Sequence, residues 1–494
     1  MTDVSPDRDP LAKPLTRRRS LTLGAVGAVG AGLGLVATSA TPAAAATREA
    51  ATSRAAATSR AAATSRAATR STTTSRAVTS RAGTSTVFDV TTYGALGDGH
   101  TDDTAAIQKA LTAAGAVAGS EVYFPPAPGG CYRTSGVTVP GGVATLSGSS
   151  TLQDSNAPTV AKLTGSVLAP LTATTAALLT VGVSGNGSVV DTNPHGLTVD
   201  GIGFLGTAPG GGAVVGLWGA TVVDTSDVTF INCRDLYCGS PAFSGYPTGG
   251  DPDGTGGFLR FLSSGTDNFF AVNGRVLSSS SYGAGTFVLA DGLSTTYPGG
   301  GSTDGRVSGC QVNGHNHGVQ LGPVVAGAGG WSIADCHFSS AEGSSHITYG
   351  MAGTPWTLRV EGCYFDLVAI VHIDCHGRGL QAVGNYFRAL GGLTAVSFGS
   401  ELATAGRDPG ALLTGNVLDL NGSTATACFA HFLGFTAAVL TAHGGGQYSG
   451  NLVHNHGAAM PKSWVGQYMD NAHKPVSKAS TAQLDLTAGP VLSA

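Results

Sequence analysis

FDVTTYGALGDGHTDDTAAIQKAL, Phe88 to Leu111, is the stretch that decides the fold. An apolar strand runs into a turn punctuated by Gly94, Gly97 and Gly99. Thr101-Asp102-Asp103-Thr104 then opens a short helix, expected over about 102–113, with Ile107 and Leu111 on one face. Thr101 is positioned to cap the first free amides, and the two Asp suit the positive end of the helix dipole. A second strand follows at Val122-Tyr123-Phe124 and stops at Pro125-Pro126.

This order of strand, GDG, TDD, helix and YFPP resembles the entry segment of the pectate-lyase-like superfamily. The resemblance implies an all-β chain, a right-handed parallel β-helix with a short N-terminal cap helix. It also implies an extracellular polysaccharide as partner. The superfamily holds glycoside hydrolases, lyases, uronate epimerases and non-enzymatic fibre proteins, so the chemistry stays open at this point. In this resemblance the GDG…TDD carboxylates belong to the cap, and no metal is assigned to them.

Three regions follow from composition. Residues 1–46 have the form of a twin-arginine signal: Arg17-Arg18-Arg19, a Gly/Ala-rich apolar run, then Ala43–Ala46. Too few strongly apolar residues are present there for a membrane span, so none is expected once the signal is removed. The expectation is export to the cell exterior or wall. Residues 47–85 repeat Thr-Ser-Arg at 52–54, 58–60, 64–66, 74–76 and 79–81 and lack aromatics, a linker composition. Residues 86–494 are read as one domain, working as a monomer or homotrimer.

Charge separates these parts. Residues 1–85 carry 12 Lys/Arg against 4 Asp/Glu; residues 86–494 carry 14 against 26. An acidic body without lysine between Lys162 and Lys462 argues against nucleic acid as partner. It suits a neutral glycan better than a polyanion, unless Ca2+ or a local basic groove supplies positive charge.

From residue 305 a repeat is visible. SGCQV (308–312), ADCHF (334–338), EGCYF (361–365), VGNYF (383–387), TGNVL (414–418) and SGNLV (449–453) follow at spacings of 26, 27, 22, 31 and 35 residues. Such a period is that of stacked β-coils, with Cys310, Cys336, Cys363, Asn385 and Asn416 in an interior ladder. Stacked thiols are expected for the three Cys, whereas Cys233 and Cys238 are near enough to pair. No CxxC is present, which speaks against a zinc ribbon.

Each coil has a further strand: HGVQLG (317–322), SHITYG (345–350), IVHIDC (370–375), AVSFG (395–399) and CFAHF (428–432). Aligned by pattern, Val319, Ile347, Val371, Val396 and Ala430 point inward. Gln320, Thr348, His372, Ser397 and His431 then point outward, about 4.8 Å apart per coil. A polar row across coils can bind an extended polymer. The densest ionisable cluster beside it is VHIDCHGRG. Asp374 is the leading catalytic carboxylate, with His372 and Arg378; Asp366, Glu342, Glu401 and Asp408 are candidate partners. His317, Gln320, Thr348, His376 and Ser397 are the substrate-binding candidates. Paired carboxylates would hydrolyse a glycosidic bond, the first expectation. A lyase or epimerase on uronates is the alternative, with Ca2+ or Arg378 neutralising the substrate acid. A non-enzymatic glycan-binding or surface protein is a third. His315 and His317 in NGHNHG invite a metal or sugar contact, and Trp331 and Trp356 can stack on a sugar ring.

Overall fold

In the computed structural model the residues described are 85–153, 162–183, 193–239, 256–263, 273–292, 302–322, 329–341, 345–350, 357–368, 371–388, 394–399, 402, 410–421, 428–432, 447–454, 468–470 and 491–493. The signal and linker readings lie outside them, as do Glu342, Trp356, Glu401 and Asp408. Among the described residues, strands form three long sheets of twelve, thirteen and eleven strands. Successive strands of each sheet pair in parallel, one coil on the next, the arrangement of a parallel β-helix. Each coil contributes in order a strand to the first sheet (Leu358–Glu361), the second (Tyr364–Val368) and the third (Val371–Cys375). No helix among the described residues is long and apolar enough to cross a membrane.

The repeat motif is the turn between the first and second sheets. Its middle residue has a left-handed backbone: Gly309 (φ 65°), Gly362 (63°), Gly384 (64°), Gly415 (63°) and Gly450 (61°). Asp335 (54°), a residue type that tolerates this region, replaces Gly in one coil. The next residue points into the core. Asn385 donates through Nδ2 to Asn416 Oδ1 at 2.9 Å and to Val360 O at 2.9 Å. Asn416 repeats this toward Asn451 (2.9 Å) and Ala382 O (2.8 Å). Cys310, Cys336 and Cys363 continue the column, each 2% exposed, so the expected ladder is present. It extends further than the sequence pattern showed: Cys233 N–H donates to Ser279 Oγ at 3.1 Å, one coil apart. Here Asn232 (φ 53°) and Ser278 (φ 47°) take the left-handed position, which hid these coils from a Gly-based pattern. The seven cysteines whose side chains are described are free, so Cys233 and Cys238 do not pair. Trp331 is 1% exposed and bonds Ser302 O through Nε1 at 2.8 Å; it is a core residue, not a sugar platform.

The cap helix runs Thr104–Gly115 and buries Ile107, Ala110, Leu111 and Ala114. Its first amide, Thr104 N–H, donates to Asp102 Oδ1 at 3.0 Å, so Asp102 rather than Thr101 does the capping. Thr101 instead donates its hydroxyl to Asp98 Oδ2 at 2.7 Å. Asp103 accepts from Leu96 N (2.7 Å) and Gly97 N (3.1 Å), tying the Gly-rich turn to the helix start. Backbone donors thus occupy all three carboxylates.

Asn416→Ala should cost about 3–5 kcal/mol, because the amides of Asn385 and the carbonyl of Ala382 lose buried partners. A denaturant midpoint close to wild type would show that the ladder does not hold the coils. In the native protein, thiol reagents should leave Cys310, Cys336 and Cys363 unmodified, and rapid labelling of all three would contradict their interior placement.

Candidate functional site

The third sheet presents the candidate face. Register fixes its outward row as Thr180, Thr221, Arg260, Leu289, Gln320, Thr348, Asp374, Ser397 and His431. Gln320, Thr348 and Ser397 stand where the sequence put them, but the residue between Thr348 and Ser397 is Asp374, not His372. The inward column is correspondingly Val319, Ile347, Ile373, Val396 and Ala430, so the IVHIDC strand is shifted by two residues from the pattern alignment. A second outward row, Trp218, Gly257, Thr286, His317, Ser345, Val371 and Thr394, lies beside the first. Hydrogen bonds join the two rows: Ser345 to Thr348 between hydroxyls at 2.7 Å, and Thr286 Oγ1 to Gln320 Oε1 at 3.3 Å.

His372 turns inward and is fully buried. Between the two outward rows each strand of this sheet directs two consecutive side chains into the core, here His372 and Ile373. Strict alternation fails at that bend, and with it the expected outward His372. It forms an interior column with His346, whose ring is stacked at 5.4 Å and 10°. His315 meets His346 at 3.1 Å (Nε2 to Nδ1), and His346 Nε2 donates to the Asp366 carbonyl at 2.8 Å. His315 therefore shares no site with His317, which lies on the outer face. Phe338, Phe365 and Phe387 stack beside the histidines at 5.3 and 5.0 Å.

Asp374 and His376 form the chemical feature of the face. Asp374 Oδ2 lies 3.0 Å from His376 Nε2, with side chains 21% and 27% exposed. Gln320, His317 and Ser397 are buried (7%, 7% and 5% exposed), so solvent reaches the row at the dyad and half-buried Thr348, and elsewhere at Thr180, Arg260, Leu289 and His431, which are half-buried too. The turn that carries His376 is clamped from inside. Tyr349 donates its hydroxyl to Arg378 O at 3.2 Å. A Cβ on Gly377 would come within 2.6 Å of the Tyr349 ring, so only glycine lets the turn close on it. Arg378 is half-buried in this turn, two residues past His376.

Asp366 lies elsewhere, on the outer face of the second sheet. It is 3.5 Å from Arg388 Nη1. Arg388 also reaches Asn421 Oδ1 at 3.3 Å, Tyr386 donates to Asp419, and Tyr364 and Tyr386 are stacked at 5.2 Å. Asp366 is thus committed to an ion pair on another face and is not brought to Asp374. The group escapes the sequence pattern because Tyr364 and Asp366, Tyr386 and Arg388, and Asp419 come from three successive coils. Among the described residues no three His, Cys, Asp or Glu side chains gather as a metal site.

Residues 87–187 match a family model described as rhamnogalacturonase A/epimerase, pectate lyase-like. A mannuronan C5-epimerase of Azotobacter vinelandii is 57% identical over 49 residues, a stretch that is 10% of this chain and 2% of that protein. Among solved structures, the A-module of another mannuronan C-5 epimerase of that bacterium has a TM-score of 0.51 at 14% identity, covering 78% of this chain and 89% of that one. DFA-IIIase from Arthrobacter chlorophenolicus without its lid, in complex with GF2, has a TM-score of 0.50 at 12% identity, covering 78% and 92%. At such identities the likeness is one of fold. The family match covers about a fifth of the chain, so together these findings show a pectate-lyase-like segment at residues 87–187, as GDG…TDD…YFPP implied, and the fold of a parallel β-helix.

Burial holds the three interior imidazoles below their ordinary pKa, His315 and His372 down to about 3 and His346 well below it. They stay neutral in the fold. Below about pH 6.5 the unfolded chain takes up protons that the folded one refuses. Stability should therefore fall with acidification by about 1.4 kcal/mol per pH unit for each imidazole. Denaturant midpoints at about pH 7.5 and pH 5 measure this. His372→Phe, flanked by Phe365 and Phe387, should lessen the slope by about one proton; an unchanged slope would remove His372 from the account.

Proposed function

We propose that the protein is a polysaccharide-active enzyme working by proton transfer next to a carboxylate, as an epimerase or lyase on a uronate-containing glycan. The observation that carries this reading is the Asp374–His376 dyad, which has no second carboxylate near it on this face among the described residues. Hydrolysis by paired carboxylates needs a second carboxyl group within roughly 5–9.5 Å. Among the described residues, the nearest other carboxylate on this face is Asp291, three coils away, or about 14 Å at the usual strand spacing. An imidazole held by a carboxylate is instead equipped to take a proton and return it.

In the proposed reaction His376, oriented by Asp374, takes the proton from the carbon beside the uronate carboxyl group. The electron pair moves into that carboxyl group, giving an enolate whose charge Arg378, two residues past His376 in the same turn, would neutralise. Delivery of a solvent proton to the opposite face inverts the centre, and His376 gives its own proton up to solvent. Expulsion of the neighbouring glycosidic oxygen, which takes the proton from His376, instead cleaves the chain and leaves a double bond. The family description and the mannuronan C5-epimerase relatives support the same chemistry. The acidic surface at large weighs against a polyanion, but a groove binds by its own residues, and Arg378 lies at this one. An extracellular substrate goes with the twin-arginine signal read at residues 1–46.

Asp374→Asn and His376→Gln should each lower turnover by about 10²–10⁴-fold with little change in thermal midpoint. Turnover is followed on uronate glycans in deuterated water, with and without Ca2+. Deuterium at the inverted carbon marks epimerisation, and new ultraviolet absorbance marks elimination. New reducing ends with neither signal would establish hydrolysis, and near-wild-type turnover in both variants would remove the dyad from catalysis.

A further inference from the structure

Four coils from Asp374, in the same outward row, stands Arg260. Its surroundings are unlike those of a structural arginine. The guanidinium lies over the Trp218 ring, 5.3 Å from its centroid. Its Nε donates to Thr221 Oγ1 at 2.8 Å. Among the described residues no carboxylate pairs with it; the ion pairs there involve Arg359, His376 and Arg388. Burial pulls its pKa below the usual value, and no acidic neighbour offsets the shift. It remains a cation at any physiological pH. A half-buried charge without a counter-ion is costly in a folded protein unless a ligand supplies one.

The geometry suits an oxyanion. Stacking on Trp218 and the bond from Nε fix the plane of the fork. The donors on the two terminal nitrogens then remain for a partner, and a planar fork of this kind matches a carboxylate through two parallel bonds. Trp218 itself is 1% exposed, so its ring orients the guanidinium and does not offer a face to a sugar. Thr180 and Thr221 precede Arg260 in the row, and Leu289 follows it. From Arg260 to Asp374 the row spans roughly 19 Å at the strand spacing, enough for several sugar units of a chain laid along the stack.

We infer that Arg260, braced by Trp218 and Thr221, is a subsite that binds the carboxylate of an acidic sugar unit remote from the reacting one. The inference rests on the third-sheet face being the glycan groove. It sets the substrate class, an acidic rather than a neutral polymer, and it sets a minimum length, since a short oligomer cannot reach both Arg260 and the dyad.

Calorimetric binding of uronate oligosaccharides of graded length tests it, with the same oligosaccharides after reduction of their carboxyl groups as the neutral control. Asp374→Asn is the background, so that binding is read without turnover. Arg260→Gln should weaken binding of long acidic oligomers at least tenfold and flatten its salt dependence, while short acidic oligomers and the reduced controls are unaffected. Arg260→Lys, which keeps charge but not the fork, should fall between. Unfolding midpoints check that each variant is folded; should Arg260→Gln not fold, Arg260→Lys and Thr221→Val carry the comparison. Equal affinity of wild type and variants for long acidic oligomers, or no binding of any acidic oligomer by wild type, overturns the subsite. Loss of binding in Arg260→Gln with no turnover on any uronate glycan by wild type would keep the subsite and overturn the proposed reaction. Turnover that needs Asp374 but is indifferent to Arg260 on long substrates would do the reverse.

Discussion

The hydrogen bonds of the ladder turn set the pitch on which everything else in this protein is built. At each turn a residue with left-handed backbone reverses the chain, and the next side chain enters the core. There it bonds both to its neighbour in the ladder and to the end of a first-sheet strand one coil earlier. Because the amide of each Asn is spent on two acceptors, one coil cannot drift relative to the next without leaving a buried polar group unpaired. The thiols of Cys233, Cys310 and Cys363 serve the same column, each bonding a first-sheet carbonyl one coil earlier. Cys310 donates to Val276 O at 3.5 Å and Cys233 to Val199 O at 3.4 Å.

A fixed pitch turns the third sheet into a graduated surface. One residue per coil faces outward at a constant step, and the chemistry of the face is read off by counting coils. Asp374 lies between Thr348 and Ser397 because Ile373 is matched with Ile347 and Val396 inside. Arg260 and Asp374 belong to the same row for the same reason, though 114 positions separate them in the chain. Position in the row follows from the stack, and identity at each position is left to the function.

The stack was legible where its turn carries Gly before Cys or Asn, and lost where Asn232 or Ser278 takes the same conformation. Of the site, Asp374, Thr348, Gln320 and Ser397 could be placed on one face from alternation and a recurring spacing of apolar residues within this chain, and His376 in the turn that follows. His372 could not. The strands of the third sheet turn two successive side chains inward at a bend, and a short sequence such as IVHIDC fits two registers equally well when Val371 and Ile373 are both apolar. What decides between them is the contact with Phe365 and Phe387, which lie one sheet away. Arg260 carried no sequence signal because its meaning depends on Trp218, on the preceding coil, and on its having no paired carboxylate among the described residues.

The cysteine column has a consequence for the order of events in the life of the chain. In the fold, Cys310, Cys336 and Cys363 are unoxidised neighbours in one stack, and hydrogen bonding to Cys336 together with burial holds the Cys310 and Cys363 thiols well above their ordinary pKa. Their inertness belongs to the packed state. In an open chain the same thiols are ordinary nucleophiles, and their later closeness, near the reach of a disulfide, gives no protection. Whether the chain has wound its coils before it meets an oxidant therefore decides whether it keeps a thiol column or acquires crosslinks.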